Sequence, residues 1–175
     1  MPFADFVKAT VVLSAAAATT LAAVTLLSAR AAGEPGTATI AVGWWAVASA
    51  IGLLMGRRAA VSPRIVRLLG GAKTVGVLPP QRPARVLLAR LWPLLVSTLV
   101  AGGLALLAPQ IPAVATGFAL IWALAWRQQH GAIVAIERRD GVRFHVEETS
   151  PLRPMTLTRT PGFKAYIPTE RRSPA

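Results

Sequence analysis

Charged residues are absent from three long stretches of the chain, Ala9 to Ala29, Pro35 to Gly56 and Leu91 to Trp126, and crowd the segments between them. Each of the first two is long enough for a helix that crosses a hydrocarbon core of roughly 30 Å. The third holds 36 residues, about 54 Å as one helix, so it has to fold back. Ala108-Pro109-Gln110-Ile111-Pro112 supplies the break, because proline removes a backbone donor and pushes the preceding residue out of helical geometry.

The pattern predicts an all-α membrane protein with about four transmembrane helices, over roughly 8–29, 37–56, 86–108 and 111–128, arranged as two helical hairpins. Arg30 to Gly36 combines charge with helix breakers and reads as a short turn on the far side. The last two helices are short, and a re-entrant pair is the alternative. Full crossing is favoured by Pro83, a good first helical residue that lengthens the third helix while Arg85 and Arg90 reach toward the interface. Trp92 and Trp126 then form part of an aromatic belt.

Beyond the helices the pattern changes. Ile133 to Glu147 alternates apolar and polar residues around Asp140-Gly141, which predicts a β-hairpin. A three-residue loop with Gly141 as the left-handed bulge residue sets Ile136 opposite Phe144 and Val134 opposite Val146. The apolar face of Val134, Ile136, Val142, Phe144 and Val146 needs cover, since two strands alone are marginal in water. Met155 to Arg159 is a candidate third strand, and the basic loop or another protein could supply the rest. Prolines 151, 154, 161, 168 and 174 make the remainder an extended tail, whose apolar residues, Phe163 among them, suit docking. The organisation is therefore a transmembrane domain over 1–130, with a basic loop at 57–85, and a cytoplasmic hairpin plus Pro-rich tail over 131–175.

Charge sets the orientation. The 175 residues carry 19 Lys and Arg against 7 Asp and Glu, a net charge of +12. Arg57, Arg58, Arg64, Arg67, Lys73, Arg82, Arg85 and Arg90 stand between the two hairpins with no acid among them. The positive-inside rule puts that loop and both termini in the cytoplasm of a cell (inner) membrane protein. Anionic headgroups are the natural contact of these eight residues, each contributing on the order of 1 kcal/mol near such a leaflet. Within the loop, Ser62 as N-cap, Pro63 at the first helical position and Gly70 past the end outline a two-turn helix. Cleavage of residues 1–31 as a signal peptide is an alternative, although their apolar stretch is long for that role. The repeated order of hairpin and basic segment also suggests a duplicated two-helix unit, with poor residue identity between the halves.

Composition removes several chemistries. A hydrophobic share of 54% and a mean hydropathy of +0.53 are too apolar for an ordinary soluble domain. There is no cysteine for a disulfide or thiolate site. The uncharged stretches lack the ionisable groups from which proton relays and ion sites are built. His130 and His145 have no companion ligands at a diagnostic spacing, so no metal, cofactor or catalytic residue is expected. Nucleic acid is not an expected partner, since the basic loop lacks a recognition motif and interleaved aromatics.

Small residues recur every four positions: Ser14, Ala18, Ala22; Ala48, Gly52, Gly56; and Ser97, Ala101, Ala105. Such rows let helices approach closely in lipid, within one bundle or between subunits. Thr19, Thr20, Thr25, Ser97 and Thr98 are the hydroxyls that could line a polar path. The reading is a non-catalytic accessory or scaffold subunit that docks a cytoplasmic or membrane partner through Val134, Ile136, Val142, Phe144, Val146 and Phe163. A small oligomeric channel or transporter for a neutral or lipid-like solute is the alternative.

Overall fold

The structure is a computed structural model and describes residues 1–57, 63–75, 82–147 and 155–161. It is mostly helical. Helices α1 (Phe3–Ala31), α2 (Pro35–Gly56), α4 (Pro83–Gly103, extended by a 3₁₀ turn at Leu104–Leu106) and α5 (Gln110–Trp126) form a bundle. Short helices α3 (Pro63–Gly70) and α6 (Gln129–Asp140) and strands β1 (Lys73–Thr74), β2 (Val142–Val146) and β3 (Leu157–Pro161) gather at one end of it as a platform.

Three helices, α1, α2 and the segment Pro83–Leu106, are long and apolar enough to cross a membrane. Pro83 starts α4 as expected and the chain turns between Leu104 and Pro109 before α5 starts, whereas α2 begins on Pro35, inside the segment read as a turn. At 17 residues α5 is the shortest of the bundle, yet it makes the most extensive contacts, lying against both α1 and α2.

Its fit with α2 rests on the small-residue row. A side chain added at Gly52 would meet the Leu124 Cβ at 2.8 Å and the Ile121 Cα at 3.1 Å, and one at Gly56 would meet the Leu124 carbonyl oxygen at 2.7 Å. The two backbones therefore touch, which in lipid replaces the hydrophobic effect as the source of cohesion. The rows in α1 and α4 are also turned inward at Ser14, Ala18, Ala101 and Ala105, whereas Ser97 is exposed. Higher up the same interface, Trp44 and Trp45 of α2 donate their indole N–H groups to the carbonyls of Val114 (3.4 Å) and Ala113 (2.9 Å) on α5.

The hairpin expected over Ile133 to Glu147 does not form. Its first arm is helix α6, and Gly141, at φ +61°, is that helix's left-handed C-cap, donating its N–H to the Glu137 carbonyl. Asp-Gly serves a bulged hairpin and a helix terminus equally well, since both require a positive φ at glycine. Ile133 is apolar as well as Val134 and Ile136, so the segment fits a helical period too, and Arg138 and Arg139 in the last turn complement the helix dipole. Packing decides: Ile133 is fully buried in the platform core.

The second arm does become a strand. β2 pairs antiparallel with β3, Phe144 opposite Arg159 and Val146 opposite Leu157, and β1 joins β3 in parallel to give the order β1-β3-β2. The third strand anticipated near Met155 to Arg159 is thus β3, the direct partner of β2. On the other side of β2, the Val146 N–H donates to the Met1 carbonyl at 2.8 Å and Pro2 bridges to His145, so the residues preceding α1 extend the sheet.

Candidate functional site

The platform core is assembled from segments far apart in the chain. Phe3, Phe6 and Val7 from α1, Ile65 and Leu69 from α3, Val86 from α4, Ile133 from α6 and Phe144, Val146 and Leu157 from the sheet form one buried cluster. At 29 residues, or about 43 Å, α1 is about two turns longer than a membrane crossing requires, and its first two turns enter this core. His130 secures the junction by donating from Nδ1 to the Ala4 carbonyl at 3.0 Å; a carbonyl only accepts, so the proton resides on Nδ1. Glu137 links α6 to the sheet, accepting the Phe144 N–H at 3.0 Å.

This packing corrects the expected docking face. Phe144 (3% exposed) and Val146 (0%) are interior, and Val134, Ile136 and Val142 pack partly buried against the same cluster. The cover that the sequence required comes from the chain itself, chiefly α1, α3 and β3. Phe163 lies outside the described residues.

Of the basic residues, Arg57, Arg67, Lys73, Arg82 and Arg85 are exposed and Arg90 is half-buried; Arg58 and the Arg64 side chain lie outside the described residues. All belong to the platform or to helix ends beside it. Lys8, Arg127, Arg138, Arg139, Arg143 and Arg159 are exposed in that half as well, leaving Arg30 as the single described cation at the opposite end, beside Glu34. Arg139 pairs with its neighbour Asp140 at 2.8 Å on the open surface, where such pairs contribute little.

Two of these arginines meet at a cavity. Between bundle and platform lies an open space of about 710 Å³, walled by Phe3, Phe6 and Val7 of α1, Ile65 and Leu68 of α3, Leu91 of α4, Trp122 and Trp126 of α5, and Met155. Thr10 of α1 also lines it, and its hydroxyl donates to the Phe6 carbonyl. Arg67 and Arg90 also line it. The sequence identified these two arginines but not their convergence, nor the aromatic walls. They come from five separated segments, and no local spacing announces them.

Comparison of the chain with protein-family models, curated proteins and solved structures finds no match. The site therefore has to be read from its own chemistry. Among the described residues no group of three or more His, Cys, Asp and Glu could hold a metal ion. The hydroxyls considered as a polar path bond elsewhere: Thr19, Thr20, Thr25, Ser97 and Thr98 each donate to a backbone carbonyl of their own helix. His145 is half-buried, its Nδ1 unpartnered among the described residues, and burial holds its pKa below the ordinary value.

Proposed function

We propose that the chain is a non-catalytic accessory protein of a cell membrane, crossing it four times with the platform and both termini on the cytoplasmic side. The observation that carries this reading is charge polarity. The described cations lie at the platform end, with Arg30 as the exception, and such asymmetry orients membrane helices with the basic end inward. α5 serves as the fourth span, its 17 residues at the lower limit for crossing and buried between longer neighbours.

In this role the bundle anchors the platform and the platform holds a partner. Because Phe144 and Val146 are interior, the contact falls on the outer basic surface, around Arg138, Arg139 and Arg143, and the matching partner is a protein with an acidic face.

The chain has no cysteine, so single cysteines report topology cleanly. In intact cells Ala32→Cys should react with an impermeant maleimide and Lys73→Cys only after the membrane is opened; the reverse would overturn the orientation. Affinity purification in mild detergent should retain a stoichiometric partner that is lost from the Arg138→Glu, Arg139→Glu, Arg143→Glu variant. A lone protein in both preparations would remove the accessory role.

A further inference from the structure

Resting on the membrane reading above, we propose that the cavity between bundle and platform is a binding site for one phospholipid acyl chain of the surrounding bilayer, held by its hydrocarbon and not by its headgroup.

The lining sets this chemistry. Thr10 already donates its hydroxyl to the Phe6 carbonyl, and Arg67 and Arg90 have interaction partners of their own. What the described walls offer an occupant is therefore chiefly carbon, aliphatic at Ile65, Leu68 and Leu91 and aromatic at Phe6, Trp122 and Trp126. Water needs several polar partners to be held in a cavity, and an apolar space favours an apolar ligand. Size agrees, since about 710 Å³ falls within the roughly 300–1,000 Å³ typical of small-molecule sites.

The geometry also gives the chain a way in. Helices α4 and α5 each pack on α1 more extensively than on one another, which leaves a crevice between them with α1 behind it. Trp122 lines the cavity and is 52% exposed, so it belongs to both the inner wall and the outer surface. Phe118, one turn earlier on α5, is exposed, as are Leu88, Trp92 and Leu95 on α4. Apolar surface thus continues from the outer faces of two helices into the cavity. In a bilayer those faces meet lipid tails, and one tail can follow the same surface inward as far as Leu68 of α3 and Met155. There it fills the space between platform and bundle.

The test uses the full chain in phosphatidylcholine vesicles containing a trace of phosphatidylcholine with a diazirine near the end of one acyl chain. After illumination, labelled residues are located by mass spectrometry. The expected result is label at Ile65, Leu68 or Met155, in addition to lipid-facing positions such as Ile40 and Leu99, which are exposed on α2 and α4. Ile65 is only 2% exposed, so bulk lipid on the outer surface does not reach it. Leu91→Trp should lower the labelling of these walls by about tenfold, because overpacking the site excludes the chain, and leave Ile40 and Leu99 unchanged.

Label at Ile40 and Leu99 without label on the walls would overturn the site and leave the membrane reading standing. Label on none of them would overturn both. On α3, label at the exposed Val66 but not at Ile65 or Leu68 would mean surface adsorption and reject the cavity. Labelling of the walls by a photoreactive free fatty acid but not by the phospholipid would overturn the bilayer lipid as occupant. Should Leu91→Trp fail to fold, the wild-type pattern decides by itself.

Discussion

The indole of Trp44 occupies the space above Gly117 that any side chain at position 117 would need, and from there it donates to the Val114 carbonyl. Helix α2 is thereby latched to α5 at a point where lipid offers no alternative partner for an indole N–H. Gly117→Val should displace the ring and lower stability in detergent by about 1–3 kcal/mol, the usual cost of overpacking. Adding Trp44→Ala should recover part of the loss, read as a thermal midpoint above that of the single variant.

Lower on the same interface the helix backbones are in contact at Gly52 and Gly56. Gly52→Leu should separate α2 from α5 and reduce the yield of folded protein on size-exclusion chromatography. Gly43→Leu, on the same helix but in open space, should elute as the wild type does.

Ser14 is fully buried in α1, and its Oγ has no hydrogen-bond partner among the described residues. Ser14→Ala should therefore leave the thermal midpoint unchanged or raise it. Thr116→Val removes a 2.7 Å bond to the Pro112 carbonyl and should cost about 1 kcal/mol. A loss at Ser14 as large as at Thr116 would indicate a partner for its hydroxyl.

Ile133→Ala should cost about 2–5 kcal/mol, because a fully buried side chain leaves a cavity in the platform core. Ala135, two residues further on, on the opposite face of α6 and exposed, should accept Ser with little change. In a hairpin the burial at 133 and 135 would be alike, so the contrast, read by chemical denaturation, tests α6 directly.

His145 gives the platform a pH dependence. Its folded pKa lies below the ordinary 6.5, first through burial and then through the positive charges of the Met1 amino group and Arg143. Between those two values the unfolded chain binds more protons, so stability rises with pH there. The contribution is intact above about pH 6.5 and declines as pH falls toward the folded value. Thermal midpoints from about pH 8 to pH 5 should show this slope, and His145→Phe should flatten it.

Most of the membrane architecture was legible in the sequence. Uncharged length marked three helices long and apolar enough to cross a membrane, Pro83 set the start of one of them, and Ala108 to Pro112 marked the reversal. α3 was also readable, since Pro63, a short apolar and basic pattern and Gly70 act within eight residues. These features depend on backbone restrictions and on the thickness of hydrocarbon, which act locally and need no knowledge of neighbours.

The segment from Gln129 to Val146 was not legible in the same way. Its apolar residues satisfy both a two-residue and a helical period, and Asp140-Gly141 suits either ending. Only the presence of Phe3, Ile65 and Val86 around Ile133 selects the helix, and those residues lie 47 to 130 positions away. The docking face was misread for the same reason: β2's partners are the start of α1 and β3, at opposite ends of the described chain.

What the sequence determined by itself is a basic, multi-helix membrane chain with its charge at one end, because hydropathy and charge are properties of each segment alone. What the tertiary structure decided is which apolar face is interior and which two of many arginines share a cavity. Both follow from packing between segments remote in sequence, where burial of one side chain depends on where all the others have gone.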